Sequence, residues 1–148
     1  MEPERLELEI TEALLLENSE SVLSILHSIR SLGVRISMDD FGTGYSSLSY
    51  LRMFPFDKIK IDGSFVRGIG FGTESQAIIR AIMGLGSSLG MTITAEGIET
   101  ESEQAFLRAV GCDEGQGFLY SKARPVGDVP LILDALNAAG IGAASRPF

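Results

Sequence analysis

Two adjacent carboxylates in this sequence have the type and spacing of a metal site. The stretch "RISMDDFGTGYSS" (35–47) ends an apolar run in Asp39 and Asp40 and then enters a glycine-rich loop. Like charges this close repel each other unless a cation neutralises them. The chain has one histidine and one cysteine, so a metal site must be built mainly from oxygens. The pair therefore favours Mg²⁺, Mn²⁺ or Ca²⁺ over zinc.

Charged and amide side chains also occur at the ends of the other strand-like runs. They are Glu9 and Glu12, Lys60 and Asp62, Glu96 and Glu99, and Gln116. Because the C-terminal ends of parallel strands lie on one face of a βα-repeat fold, we expect these side chains to converge there. Any single acid is explained equally well by a loop cap or a surface ion pair. Loop caps and surface ion pairs do not explain the whole set, because several charges are costly to bury together.

The alternation within "KIKID" (58–62) places one lysine among these acids. Ile59 and Ile61 point towards the helix layer, and Lys58, Lys60 and Asp62 point to the opposite, inner side of the sheet. An inward lysine beside carboxylates forms either a structural ion pair or a group that positions or deprotonates a water. Its place near the ligand face favours the functional interpretation for Lys60.

Strand-like and helical patterns alternate along the chain and predict an α/β fold with a parallel sheet. The strands are expected at 5–10, 34–39, 57–62, 91–96 and 112–118, and the helices at 19–32, 47–52, 74–89, 101–110 and 126–139. Two architectures remain open, an open doubly wound sheet and part of a (β/α)₈ barrel. No Rossmann or Walker A fingerprint is present, and "GIGFGTE" (68–74) is interpreted as a loop before a helix. The kinase-like "DFG" (40–42) lacks the other kinase motifs.

Composition restricts the class of protein. The chain has 148 residues, which suits one domain, with a small-residue tail expected at 140–148. Its net charge of −8 argues against binding nucleic-acid polymers. No apolar stretch reaches the roughly 20 residues of a membrane span, and no signal peptide is seen. The single cysteine, Cys112, is consistent with the reducing cytoplasm.

Five motifs in order resemble those of the EAL domain, a bacterial cyclic di-GMP phosphodiesterase. They are "LEITE" (8–12), "DDFGTGYSSLSYL" (39–51), "KIKIDGSFV" (58–66), "TAEGIET" (94–100) and "GCDEGQGF" (111–118). The resemblance covers nearly the whole chain, with residues 1–139 as the C-terminal portion of the domain. It implies a TIM-type (β/α)₈ barrel, of which about five of the eight βα units are present here. It also implies hydrolysis of cyclic di-GMP to the linear dinucleotide pGpG with two Mg²⁺ or Mn²⁺ ions.

The resemblance assigns roles to the motif residues. Glu9 and Asp39 are implied to bind the first metal, with Asp39 bridging to a second metal that Asp40 and Glu96 help to hold. Lys60 is implied to hold the nucleophilic water, and Gln116 to orient water. The remaining positions are Glu12, which anchors the loop after Asp40, and the substrate or loop residues Gly42, Gly44, Tyr45, Asp62 and Glu99.

The resemblance also implies ligands that this sequence does not contain. The Glu-Ala-Leu motif, the strand-end asparagine and the substrate-binding arginine of the family would precede "LEITE". We therefore expect an incomplete metal site, impaired phosphodiesterase activity, and pairing into a homo-oligomer or through open barrel edges. One alternative is a catalytically inactive module that binds cyclic di-GMP or a partner, and another is a different metal-dependent phosphohydrolase.

Overall fold

Five parallel strands form one sheet in the computed structural model, which describes residues 2–17, 19–43, 51, 53–54, 56–70 and 72–138. The strands are β1 (Glu7–Thr11), β2 (Arg35–Phe41), β3 (Lys58–Ile61), β4 (Thr92–Ala95) and β5 (Glu114–Gly115). They lie side by side in sequence order, and each pairs in parallel with the next. A doubly wound sheet reverses its strand order at a switch point, whereas a barrel adds each strand beside the previous one. The order of the described strands confirms the α/β class and the partial-barrel prediction.

Helices connect these strands and cover one face of the sheet. They are α1 (Glu12–Glu17), α2 (Ser19–Ser31), α3 (Gly63–Arg67), α4 (Thr73–Leu89), α5 (Glu101–Ala109) and α6 (Val129–Ala138), with 3₁₀ turns at Pro3–Arg5, Gly68–Gly70 and Val126–Asp128. The helix expected at 47–52 falls largely outside the described residues, and the tail at 140–148 does so entirely. Among the helices described, none combines the length and the apolarity needed to cross a membrane.

Two short elements after β3 differ from the prediction. Helix α3 follows the strand directly, because the Asp62 side chain accepts a hydrogen bond from the Ser64 backbone N–H at 2.9 Å and caps the helix. The 3₁₀ turn Gly68–Gly70 occupies part of the segment expected to be a loop. Both elements lie between β3 and α4 and bring the chain from the sheet to the helix layer.

The hydrophobic core lies between the sheet and the helices. Ile36, Ile59 and Ile61 are fully buried on the helix-facing side of the strands, and Ile79 of α4 is buried with them. Burial of such a side chain contributes roughly 2 kcal/mol. Because the apolar residues alternate with inward-facing ones, as in β3, the stabilising core is on one side and the opposite side is free to carry charge.

Candidate metal-binding site

Lys60 is the centre of a charged cluster on the inner face of the sheet. Its side chain is only 6% exposed, and its Nζ lies 2.7 Å from Glu9 Oε1, 2.6 Å from Glu96 Oε1 and 3.4 Å from Asp39 Oδ1. These acids come from β1, from β2 and from the end of β4. The structure therefore brings together four residues that the sequence predicts at the strand ends.

Asp39 and Asp40 both reach this cluster because β2 is irregular at its end. Asp40 has φ 54°, a left-handed conformation that aspartate tolerates better than most residues. The pairing of β2 with β3 shifts register between Met38 and Phe41. In a regular strand the two neighbouring carboxylates would point to opposite faces. The bulge instead lets both serve one site.

Three carboxylates of this cluster are close enough to share a cation. Within the described ranges, oxygen atoms of Asp39, Asp40 and Glu96 lie within 4.8 Å of one another. Glu9 joins this group through its contact with Lys60. The donor set is all oxygen, as hard divalent cations require.

The electrostatics of the cluster favour binding of a cation. Burial raises the pKa of Asp40, and the neighbouring charges of Asp39 and Asp62 raise it further. Burial also raises the pKa of Glu96, although its contact with Lys60 opposes the effect. Each shift reflects a carboxylate that is costly to keep ionised without more positive charge nearby.

One buried oxygen provides a direct test of whether a metal fits. Asp39 Oδ1 is buried and, apart from its long ion-pair contact of 3.4 Å with Lys60 Nζ, accepts no hydrogen bond from the part of the chain that the structure describes. A buried carboxylate oxygen without a hydrogen bond is unfavourable, whereas coordination of a cation would satisfy it. The residues present therefore fit a divalent metal.

Lys60 remains protonated in this environment. Burial would lower the pKa of Lys60, but hydrogen bonds to Glu9 and Glu96 outweigh it and raise the pKa above the ordinary value. The ammonium therefore acts as a hydrogen-bond donor and a positive charge in the cluster.

Gln116 reaches the cluster from the short strand β5. Its Nε2 donates a hydrogen bond to Glu96 Oε1 at 2.9 Å, and its backbone N–H donates to Ala95 O at 2.9 Å. The Gln116 amide thus orients the carboxylate that also contacts Lys60. The hydrogen bond places Gln116 beside Glu96 in the charged cluster.

The other predicted positions lie around this centre. Asp62 caps α3 and has its pKa lowered by hydrogen bonds from Ser64. Glu12 is buried at the start of α1, and Glu99 is exposed before α5. Gly42 has φ 94°, which favours glycine. Gly44 and Tyr45 lie outside the described residues.

A cleft of about 440 Å³ adjoins the site and includes residues that the sequence analysis missed. Its lining combines the predicted Glu96, Glu99 and Gln116 with Arg67, Gly97, Gly117, Phe118 and Ser121. The sequence offered one signal for Phe118, which ends the motif "GCDEGQGF" directly after Gln116. Arg67 had no such signal, because helix α3 was not predicted.

Comparison with known proteins identifies the family. The EAL domain model matches residues 1–123. The cyclic di-GMP phosphodiesterase PdeR of Escherichia coli is 46% identical over 120 residues, which cover 81% of this chain and 18% of PdeR. This chain thus spans less than a fifth of that relative.

Solved structures agree in fold. The PaMucR phosphodiesterase in complex with c-di-GMP has a TM-score of 0.83 and 43% identity, covering 87% of this chain and 52% of that one. The manganese and cyclic di-GMP complex of Klebsiella pneumoniae BlrP1 has a TM-score of 0.78 and 38% identity, covering 82% of this chain and 31% of that one. Sequence, fold and the arrangement of acids around Lys60 lead to one conclusion: the chain belongs to the EAL domain family.

Proposed function

We propose that this chain carries the C-terminal part of a metal-dependent phosphodiesterase that hydrolyses cyclic di-GMP to pGpG. The observation that carries the proposal is the group of Asp39, Asp40 and Glu96, with oxygens within 4.8 Å of one another beside a buried Lys60. Named relatives support the substrate, since PdeR is a cyclic di-GMP phosphodiesterase. The BlrP1 complexes with manganese or calcium and the cyclic dinucleotide support divalent metal use.

In this proposal the carboxylates would hold two Mg²⁺ or Mn²⁺ ions. Glu9 and Asp39 would be ligands of the first ion, and Asp39, Asp40 and Glu96 would be ligands of the second. Bound divalent ions of this kind polarise a phosphoryl oxygen and lower the pKa of a water molecule. The buried Asp39 Oδ1, which accepts no hydrogen bond from the described residues, supports Asp39 as a metal ligand.

Lys60 holds the attacking water by donating a hydrogen bond from its ammonium group. Its raised pKa argues against removal of a proton by Lys60, which was the other role open from the sequence. Gln116 fixes the orientation of Glu96 and of water next to it, as its 2.9 Å hydrogen bond suggests. Lys60 and Gln116 both contact Glu96 Oε1, so the water would be oriented by groups that meet at this oxygen.

The remaining residues shape the substrate side. Glu12 anchors the glycine loop after Asp40, and Gly42, Gly44 and Tyr45 belong to that loop. Asp62 supports α3 as its N-cap, and the cleft beside Glu99 accommodates part of the dinucleotide. We place the protein in the reducing cytoplasm, where the buried thiol of Cys112 remains reduced.

Catalysis by the 148-residue chain alone is proposed to be weak. The described strands form an open sheet of five, and β1 and β5 are its edges. Exposed edges of a parallel sheet favour pairing with another chain. Binding of cyclic di-GMP without turnover, in a self-associated form, is therefore the second candidate function.

The experiment combines isothermal titration with a turnover assay. The purified chain is titrated with cyclic di-GMP with and without Mn²⁺, and pGpG is measured by chromatography. Slow Mn²⁺-dependent pGpG formation that Asp39→Asn abolishes supports the phosphodiesterase, and this variant also controls for contaminating enzymes. Binding without turnover supports the second candidate. If the chain neither binds cyclic di-GMP nor forms pGpG, both candidate functions are refuted.

A further inference from the structure

A second charged group lies on the inner face of the sheet, two residues before Lys60. Lys58 Nζ is 3.1 Å from Glu7 Oε1 and 2.8 Å from Glu114 Oε2, and its side chain is 12% exposed. Lys58 belongs to β3, the central strand, whereas Glu7 and Glu114 belong to the two edge strands β1 and β5. One ammonium group therefore connects both edges of the sheet to its centre.

Strand β5 depends on such side-chain contacts because it is very short. It consists of two residues, and its pairing with β4 consists of Thr94↔Glu114 and Ala95↔Gly115. The Glu114 carboxylate accepts hydrogen bonds from Thr94 Oγ1 at 2.8 Å and from Lys58. These contacts tie β5 across β4 to β3.

Gln116 lies immediately beyond β5, two residues after Glu114. Both side chains reach the inner face of the sheet, where Glu114 contacts Lys58 and Gln116 contacts Glu96. Lys58 and Lys60 have the same spacing on β3, as do Glu7 and Glu9 on β1. The contacts of Lys58 thus lie two residues nearer the start of the strands than the contacts that Lys60 and Gln116 make with Glu96.

We propose that Lys58 is a positioning residue that, through Glu114 and Glu7, holds Gln116 and Glu9 in the orientation the metal site requires. The consequence for metal binding rests on the proposed function, whereas the effect on Gln116 does not. Within the described residues, the ion pairs of Lys58 are with Glu7 and Glu114, which belong neither to the metal group nor to the cleft lining. Its contribution is transmitted through the backbone of β5 and β1.

The proposal and simple electrostatics predict opposite changes in metal affinity when Lys58 is removed. Removing a positive charge near a cation site should strengthen binding of Mn²⁺. Loss of a positioning contact should weaken it, as substitutions behind metal ligands commonly do. The sign of the change in Lys58→Met therefore separates the two explanations.

The test uses the whole chain and two measurements. Amide hydrogen exchange at Gln116 and the NMR signal of its side-chain amide, assigned with Gln116→Ala, report the local geometry without metal. Electron paramagnetic resonance of free Mn²⁺ gives the metal affinity. Arg35→Met is the matched control, because Arg35 is 52% exposed and lies 3.8 Å from Glu7. Lys58→Arg tests rescue by a retained charge.

We expect Lys58→Met to speed exchange at Gln116 at least tenfold while exchange at Ile82, a buried residue of α4, is unchanged, and to weaken Mn²⁺ binding about tenfold. Lys58→Arg and Arg35→Met should stay within about threefold of the parent. Unchanged exchange at Gln116, equal acceleration at Ile82, or tighter Mn²⁺ binding would each overturn the proposal. If the parent binds no Mn²⁺, the proposed metal site is wrong, and exchange at Gln116 alone decides the role of Lys58.

Discussion

Substitution of Lys60 by methionine tests whether this ammonium group holds the acidic cluster together. Methionine keeps much of the length of the side chain and removes its charge. Three carboxylates that now contact Nζ, those of Glu9, Asp39 and Glu96, would then face one another without the lysine. Their mutual repulsion would act in a partly buried site.

The size of the effect follows from the burial of the partners. Removing one partner of a buried ion pair costs about 3–5 kcal/mol. Glu9 is 49% exposed and is partly screened by water, whereas Glu96 is 18% exposed. We therefore expect the free energy of unfolding to fall by about 3 kcal/mol in EDTA. The loss should be smaller at pH 5 than at pH 8, because burial raises the pKa of Glu96 and Lys60 would no longer oppose that rise, so protonation of Glu96 relieves the repulsion as the pH falls.

Metal should reverse part of this loss. Without the competing ammonium group, Mn²⁺ is expected to bind at least about tenfold more tightly, since a unit charge nearby is worth several kcal/mol at a low effective dielectric. At saturating Mn²⁺, each tenfold gain in Mn²⁺ affinity recovers about 1.4 kcal/mol of the difference in unfolding free energy between variant and parent. Turnover should remain reduced by about a hundredfold or more, because the donor to the attacking water is absent.

The assay is urea unfolding followed by far-ultraviolet circular dichroism, since the chain has no tryptophan. Parent and variant are compared in EDTA and in saturating Mn²⁺. Lys122→Met is the matched control, because Lys122 is exposed, and it should change stability by less than about 0.5 kcal/mol. The reasoning would be refuted if the Lys60→Met chain had the same free energy of unfolding as the parent in EDTA, or if Mn²⁺ stabilised it no more than it stabilises the parent.

Two further predictions concern Gly117 and Cys112, which lie on either side of β5. Gly117→Ala should cost about 3 kcal/mol in urea unfolding, because a Cβ at Gly117 would overlap the backbone of Ile98; a cost below about 1 kcal/mol would contradict this. Cys112 should resist iodoacetamide at pH 8 until the chain unfolds. The thiol is 1% exposed and burial raises its pKa to about 11, so its thiolate is about a hundredfold scarcer than at the ordinary pKa of 9.0. Labelling at the same rate in native protein and in urea would refute it.

Local sequence patterns predicted most of the fold. The alternation in "KIKID" correctly placed Ile59 and Ile61 in the core and Lys58 and Lys60 on the other face. Glycines after apolar runs marked helix ends, as Gly90 does in its left-handed conformation after α4. Helix α3 was missed because its five residues are too few for a hydrophobic period, and its start depends on the Asp62 cap.

The candidate site was predicted in its residue types but not in its contacts. Sequence placed Glu9, Asp39, Lys60, Glu96 and Gln116 at strand ends, and the structure brings these five into one network. Glu7 and Glu114, which share Lys58, were not singled out, because strand order decides which distant residues meet. The contacts of Glu7 and Glu114 with Lys58 become visible only when the neighbouring strands of the sheet are known.

The sequence by itself determined the family resemblance, the α/β repeat, the core face of each strand and the acids at the strand ends, because each depends on residue type and short-range spacing. Only the tertiary structure decided that Asp39 and Asp40 serve one site. Alternation would send adjacent carboxylates to opposite faces, and the left-handed Asp40 at the bulge of β2 turns both towards Glu96. Only the order of the strands placed Lys60 between β1 and the end of β4, where its charge balances acids from three distant parts of the chain.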